Sequence, residues 1–292
     1  MAAWFTPPSR AGQVVTDADR EWAKRAVARE TALDGEAKRD TVAVLYFANK
    51  TFDLRLDPFR KGISIMLITD LSKVSQLTLV ERTRVQALVD ELSLSESGLV
   101  SPEATLETGK LLGAQFIVGG TFLKGAASPL KITSDILNTR SSDPMDTVFT
   151  EGVLDELIRL EKDLAFKIIQ ALKIKLSKRQ KKKLEKPLST SFRALEYLFT
   201  GVDYSDQGKY RLAREYYERA VKYDPGLTMA REAILEIMNL NLTAAPSGTE
   251  KILTSTRQRT STITANGFDQ RISRSVSGSG QAGAFTRIRV RW

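Results

Sequence analysis

The residue types that most often carry enzyme chemistry are missing from this chain. Its 292 residues include no cysteine and no histidine. This excludes a Ser-His-Asp or Cys-His nucleophile, thiol redox chemistry and ordinary zinc or blue-copper sites. Four carboxylates fall on one predicted helix, where they are typical of a solvated face rather than of an acid/base pair: Asp155, Glu156, Glu161 and Asp163. We therefore expect no catalytic, metal or cofactor site, and the protein is predicted not to be an enzyme.

One glycine motif matches the letters of a dinucleotide-binding fingerprint. It spans Gly278-Ser-Gly-Gln-Ala-Gly283, inside a Ser- and Gly-rich segment. The residues after it are strand-like, and no acidic residue follows at the distance where such a fold binds the ribose. The motif therefore predicts a linker and no cofactor.

The positive charge is confined to two short segments. The formal net charge is +9. Residues 173–186 hold eight Lys or Arg against one Glu, and residues 251–292 hold Lys251 and seven Arg against Asp269. The remainder of the chain is therefore net acidic. This pattern favours a solvated helix end and a basic tail over a general polyanion-binding surface.

Hydrophobic periodicity predicts an α/β fold with a mixed sheet. Thr41–Ala48 is a continuous apolar run of the kind that is buried on both faces of a sheet. Further strands are expected at 77–80, 115–123, 129–138 and 147–150, and helices at 56–71, 82–92, 101–112 and 153–176. These elements define a domain at 41–177, preceded by a polar N-terminal arm with one helix at 1–40 and followed by a basic linker at 178–190.

A second pattern begins after the linker and predicts a small all-α segment at 191–243. Small and aromatic residues recur there at the spacing of a tetratricopeptide repeat, in which two antiparallel helices approach closely and a proline ends the second. A lone repeat cannot bury its own apolar face, so it must cover that face with the α/β domain, a partner or another copy. The residues expected to form a partner-docking surface are Tyr197, Gly201, Tyr204, Tyr210, Ala213, Tyr217 and Ala220.

The last segment, 244–292, is a Ser-, Arg- and Gly-rich tail with β-prone stretches. Asn266-Gly267 is a hairpin signal, and Ile288, Val290 and Trp292 alternate with arginines. The tail is expected either to be disordered in isolation or to add a strand to a neighbouring subunit through these three apolar residues. Nucleic-acid binding through its arginines and sparse aromatic residues is the less favoured alternative.

Several stretches of the α/β domain resemble the CsgG family, which contains the outer-membrane curli-secretion channel and holdfast-anchoring relatives. The similar stretches read VAVLYFAN (42–49), VERTRVQALVDEL (80–92), SGLVSPE (97–103) and GKLLGAQFIVGG (109–120). FlgO-like and TolB-N-terminal-like envelope domains share the general layout. The resemblance implies a periplasmic domain that oligomerises, often as a ring. Glu81 and Arg82 could make a subunit contact in such an assembly, and a surface ion pair is the alternative.

The chain departs from the channel in three respects. The predicted repeat segment and the basic tail lie outside the family domain, which suggests an added docking surface. The channel carries a lipidated N-terminal cysteine, which is absent here. It also inserts two long β-hairpins into the membrane, and a membrane strand needs about 9–11 residues. The predicted turns at 125–128 and 141–146 are too short for such hairpins, so a pore of that kind is not expected.

We therefore expect a non-enzymatic protein of cell-envelope assembly or secretion. It would be a homo-oligomeric ring or filament, periplasmic or associated with the outer-membrane surface, that binds an envelope protein through its repeat helices. No signal peptide is visible at the N-terminus. A cytoplasmic TolB-like regulatory module is the alternative, followed by nucleic-acid binding through the tail.

Overall fold

The computed structural model describes residues 13–28, 37–92, 102–124, 129–141 and 143–243. Its helices are α1 Asp17–Ala28, α2 Pro58–Leu71, α3 Arg82–Glu91, α4 Pro102–Leu111, α5 Leu157–Ala171, α6 Lys178–Leu184, α7 Phe192–Asp206, α8 Tyr210–Tyr223 and α9 Thr228–Asn239. Its strands are β1 Lys38–Asn49, β2 Thr78–Leu79, β3 Ala114–Lys124, β4 Leu130–Asn138 and β5 Asp143–Gly152.

The strands form one mixed sheet in the order β2-β1-β3-β4-β5. β1 is parallel to β2 and to β3, whereas β3, β4 and β5 are successively antiparallel. The chain moves one way across the sheet from β1 to β2 and the other way from β2 to β3. Because both crossovers are right-handed by preference, α2 and the α3–α4 pair lie on opposite faces. The predicted α/β class with a mixed sheet is confirmed.

β1 is buried from Thr41 to Ala48 because helices cover both of its faces. Val42, Val44 and Phe47 belong to the main hydrophobic cluster with α2 and α5. Ala43, Leu45 and Tyr46 belong to a second cluster with α3 and α4. The strict alternation fails between Leu45 and Tyr46, where the pairing register with β3 also shifts. A bulge of this kind re-aims the following side chains, and here it turns Tyr46 toward α3.

Three predicted elements differ from those observed. β5 begins at Asp143, so it occupies most of the predicted turn 141–146. The predicted helix 153–176 begins with a 3-10 turn and continues as α5, which ends at Ala171. Lys173 adopts φ 58°, and the Ile174 amide donates to the Ile169 carbonyl (3.1 Å), so a left-handed residue closes the helix early. The predicted linker 178–190 contains α6, whose lysines face solvent while Leu184 joins the main hydrophobic cluster.

The repeat segment packs directly on the α/β domain. α7 lies against α8 and α2, and α9 lies against α8. Two close approaches require glycine: a Cβ on Gly201 would lie 2.6 Å from the Tyr217 ring, and one on Gly62 of α2 would lie 2.3 Å from the Phe199 ring of α7. The helices α7–α9 thus cover their apolar face with the core of their own chain, and both segments contribute to a single cluster.

Two buried carboxyl groups meet where α2 and α5 pack together. Asp70 is ion-paired with Lys73 (2.7 Å) and with Lys162. Glu161 of α5 lies beside this group and is 2% exposed. Burial, together with the Asp70 carboxylate and despite the Lys162 ammonium, raises the pKa of Glu161 to about 8. Protonated Glu161 is therefore the form that the folded protein favours at neutral pH.

We expect Glu161→Gln to remove a pH dependence of stability. The folded pKa lies above the ordinary value of 4.5, so the favourable contribution is complete below about pH 4.5 and is lost as the pH rises through about 8. The variant carries a permanent neutral mimic of the carboxyl group. Its free energy of unfolding in urea should match wild type at pH 4.5 and exceed it at pH 8.5 by more than about 1 kcal/mol. Equal stabilities at both pH values would contradict this.

Candidate protein-docking site

The repeat residues predicted to dock a partner fall into two groups. Gly201, Ala213, Tyr217 and Ala220 are buried inside the helical segment. They cannot contact a partner directly, which corrects the expectation for these four, and their role is to let α7 and α8 approach. The other predicted docking residues, Tyr197, Tyr204 and Tyr210, are half-buried and reach the surface.

Tyr197 and Tyr204 belong to a row of four tyrosines across α7 and α8, the tyrosine strip, which also includes Tyr216 and Tyr223. Neighbouring ring centroids are 5.2 Å apart for Tyr204 and Tyr216, 6.1 Å for Tyr216 and Tyr197, and 5.4 Å for Tyr197 and Tyr223. Tyr223 is 44% exposed and the other three are half-buried. The repeat spacing did not single out Tyr216 and Tyr223. Their own spacing is a signal that could have found them, because each helix carries two tyrosines seven residues apart on one face.

Three cations lie over rings of the tyrosine strip. The Arg219 guanidinium is 5.0 Å from the centroid of Tyr216, Arg193 is 5.6 Å from Tyr223, and the Lys209 ammonium is 5.7 Å from Tyr204. Cation–π contact holds both groups at little entropic cost. The surface therefore offers rigid aromatic faces and phenol hydroxyls within a basic rim. Such a surface suits a protein segment with apolar and acidic side chains.

A buried ion cluster fixes the end of α7 that supports this surface. The Asp206 carboxylate, at the last residue of α7, receives the Lys61 ammonium of α2 at 3.0 Å and the Arg82 guanidinium of α3 at 2.9 Å. Lys61 also approaches Asp203 at 3.2 Å. The side chains of Lys61, Arg82 and Asp206 are each at most 5% exposed. Breaking such a pair leaves an uncompensated buried charge, which costs about 3–5 kcal/mol.

Arg82 is therefore an internal residue, and its predicted role as a subunit contact is wrong. It is 2% exposed and also donates to the Tyr46 hydroxyl (3.4 Å). That hydroxyl donates to Gln86 (2.8 Å), whose amide in turn donates to Asp90 (2.7 Å). Arg82 occupies this position because it is the first residue of α3 and follows β2 at the carboxyl end of the sheet.

Burial sets the protonation states in this network. Burial alone lowers the pKa of Arg82, but the charge and hydrogen bonds of Asp206, together with the Tyr46 and Tyr217 phenols, outweigh it and raise the pKa. Burial raises the pKa of Tyr46 and of Tyr217, although the Arg82 guanidinium opposes the shift in both. Both phenols thus stay neutral near neutral pH, and the buried ion pairs act as a structural lock between α7, α2 and α3.

The remaining predicted contact residues have different outcomes. Glu81 directly precedes α3 and is half-buried, and its carboxylate lies 3.8 Å from the guanidinium of Arg84 on that helix. The part of its side chain that reaches the surface leaves it a candidate subunit contact. Ile288, Val290 and Trp292 lie outside the described residues, and so does the predicted tail hairpin. Their part in an assembly remains a prediction.

An exposed apolar loop follows β1. Phe52 is fully exposed and Leu54 is 79% exposed. Phe52 has φ 61°, a left-handed conformation that is rare for a bulky residue. Hydrogen bonds hold the loop in place: the Asn49 amide group donates to the Asp53 carbonyl (3.0 Å) and to the Asp57 carboxylate (2.8 Å). Strain that persists in a well-bonded loop is typical of contact sites.

Within the described ranges, no group of three acidic side chains is placed to hold a metal ion. The helices described there are all too short or too polar to span a bilayer.

Residues 25–124 match the family model described as "Curli production assembly/transport component CsgG". The match begins within α1 and ends with β3, so this part of the chain is a CsgG-like domain and the resemblance is confirmed. It does not include β4, β5 and α5 of the α/β domain. The tetratricopeptide-like character of α7–α9 stays a prediction.

Solved structures give weaker similarities. The C-terminal domain of LpoB from Salmonella enterica is 15% identical, with a TM-score of 0.34 over 46% of this chain and 98% of that chain. The lipoprotein GNA1162 from Neisseria meningitidis is 11% identical, with a TM-score of 0.33 over 47% of this chain and 99% of that chain. Comparison with curated proteins finds no match. The domain assignment therefore rests on the family model.

We expect Asp206→Ala to destabilise the protein by about 3–5 kcal/mol, because it leaves Arg82 buried without a counter-charge and leaves Lys61 with Asp203 as its acidic partner. The matched control is Arg214→Ala on α8, which removes an exposed pair with Glu218 (2.7 Å) and should change stability by less than about 0.5 kcal/mol. Urea unfolding of the three proteins measures both effects. Similar losses in the two variants would show that the cluster is no lock.

Proposed function

We propose that this protein is a non-enzymatic component of cell-envelope assembly or secretion. Its CsgG-like domain would serve as an oligomerising scaffold without membrane hairpins of its own, and its repeat helices would bind a protein partner. The observation that carries the proposal is the tyrosine strip, a rigid aromatic and basic surface that is locked onto a domain of a family described as an assembly/transport component.

The lock favours binding because it lowers the entropic cost of association. Asp206 ties α7 to α2 and α3, and the Phe199 ring fills the space over Gly62. The strip is therefore presented in one orientation before a partner arrives, and less ordering free energy is spent on binding. Tyrosine and arginine are also the residue types that most often dominate interface energies.

The loop after β1 supports self-association. A fully exposed Phe52 beside Leu54 is unfavourable in water and suits insertion between subunits. Polar side chains of both signs surround it, namely Lys50, Asp53, Arg55 and Lys124. An apolar anchor with a mixed polar rim is the usual anatomy of a protein–protein contact. Cellular placement would be the periplasm or the outer-membrane surface, as in the family's secretion channel.

Size-exclusion chromatography with light scattering tests the scaffold role. At micromolar concentration we expect a closed oligomer or a filament, and we expect Phe52→Ser to shift the distribution toward monomer. Phe149→Ser is the matched control, because Phe149 is 48% exposed but is already covered by Lys131 and Lys167. A wild-type monomer at this concentration would refute the oligomeric scaffold.

Site-specific photo-crosslinking in cells tests the docking role. A photoreactive residue replacing Tyr223 should form an adduct with one envelope protein, and Tyr216→Ser with Arg219→Ser should weaken binding of that protein about 10- to 30-fold. A photoreactive residue at Arg179, exposed on α6, is the control and should form no such adduct. Adducts only with cytoplasmic proteins would favour the regulatory-module alternative.

A further inference from the structure

The short helix α6 carries an ordered face of exposed cations. Successive residues of an α-helix are rotated by about 100°, so Gln180 and Leu184 lie on one side of α6 and five cations occupy the opposite side. All five are exposed. We call this set the lysine face, and its members are Lys178, Arg179, Lys181, Lys182 and Lys183.

The other side of α6 is fixed to the body of the protein. The Gln180 side-chain amide donates to the Ser75 hydroxyl (3.1 Å) and to the Gln76 side-chain oxygen (2.6 Å). Leu184 is buried and joins the main hydrophobic cluster. The Ser177 hydroxyl caps the helix by accepting from the Gln180 backbone amide (3.2 Å). The lysine face therefore points outward in one orientation.

The charge pattern of the lysine face works against the stability of its own helix. Lys182 lies four residues after Lys178 and three after Arg179, and like charges at these spacings destabilise a helix. Lys178 and Arg179 also lie in the first turn, where the positive end of the helix dipole disfavours cations. Within the ranges that the structure describes, none of the five cations forms an ion pair with a carboxylate. A sequence that breaks local rules of stability in this way is typical of a functional surface.

The residue types of the lysine face distinguish between anionic partners. Lysine is depleted in protein–protein interfaces, and residues 173–186 include no aromatic side chain that could anchor a protein or stack on a nucleic-acid base. Four of the five cations are lysines, which are compact, hydrated charges without the planar fork that lets arginine hold one phosphate by two bonds. Such a face matches a diffuse layer of hydrated negative charge. The headgroups of an anionic phospholipid bilayer form such a layer.

The charge of the remaining chain would orient the protein on that layer. Outside residues 173–186 and 251–292 the chain is net acidic. An anionic bilayer therefore attracts the lysine face within a Debye length, about 10 Å at 0.1 M salt, and repels the acidic remainder. The α/β domain would settle with α6 toward the headgroups.

We propose that the lysine face of α6 binds this protein to an anionic phospholipid surface. The contact is peripheral and electrostatic, because the outward side of α6 consists of the lysine face and its leucine points into the protein. The inference rests on the proposed envelope role only for the presence of a bilayer. The lysine face is separate from the tyrosine strip and from the Phe52 loop, so its failure would leave their tests unchanged.

Co-sedimentation of the full chain with vesicles tests the proposal. Wild type should bind vesicles of phosphatidylglycerol and phosphatidylcholine in equal parts, and should not bind vesicles of phosphatidylcholine alone. The triple variant Lys178→Gln, Lys181→Gln, Lys182→Gln should bind the anionic vesicles about 100-fold more weakly, at about fivefold for each charge removed. Its Tm should equal or exceed that of wild type, because repulsion within α6 is relieved, so the loss of binding would not come from unfolding.

The matched control removes the same charge from a different part of the surface, by Lys24→Gln, Arg25→Gln and Lys110→Gln. These cations are exposed on α1 and α4, on the other side of the sheet from α2, and the basic tail is intact in both variants. The control should weaken vesicle binding less than about threefold, since it leaves the lysine face within reach of the headgroups.

Three outcomes would overturn the proposal. Equal weakening by the two triple variants would show a response to total charge alone. Unchanged binding in the α6 variant would assign any lipid binding to other residues. Tighter binding to duplex DNA than to anionic vesicles, lost in the α6 variant but kept in the control, would assign the lysine face to nucleic acid.

Discussion

The buried Asp206 carboxylate makes the ion pairs on which the rest of the structure depends. It neutralises Lys61 and Arg82 together, and these two cations come from helices that cover opposite faces of the sheet. Each of the three charges would be costly to bury alone. The end of α7 and the first turns of α2 and α3 must therefore come together for any of the three charges to be stably buried. The repeat helices are fixed to the CsgG-like domain by this requirement.

This lock links the surfaces that carry the proposed roles. The tyrosine strip runs along α7 and α8, and the same Arg82 that binds Asp206 also donates to the Gln13 carbonyl. The packing of Phe199 over Gly62 adds an apolar contact beside the charged one. The two forces are complementary: the apolar contact supplies driving force without direction, whereas the ion cluster accepts only one alignment of the helices. A rigid two-part body results, with an aromatic basic face on one part and an exposed Phe52 loop on the other.

Sequence patterns predicted the fold class and most elements because burial imposes periodicity on each segment separately. Thr41–Ala48 is predictable as a strand since both of its faces are covered, and the recurrence of small residues such as Gly201 indicates where two helices approach closely. Errors arose where a single backbone conformation ends an element. Lys173 terminates α5 in a left-handed conformation that favours glycine, so helical periodicity continued past the true end. Glu81 and Arg82 were both expected at the surface, in a subunit contact or in a surface ion pair, because sequence position alone does not reveal which of two adjacent charges points inward.

The sequence by itself determined that histidine and cysteine chemistry is absent, that a mixed α/β sheet forms, that close-packed helices follow it, and that the positive charge lies in two segments. These properties depend on composition and on local spacing, which do not require contacts between distant residues. Only the tertiary structure decided that the repeat covers its apolar face with its own domain and that Arg82 is internal. It also brought Tyr216 and Tyr223 into one row with Tyr197 and Tyr204, and placed residues 13–15 against α9. Each of these outcomes depends on contacts between residues far apart in the chain, whose free energy exists only when several buried groups are brought together at once.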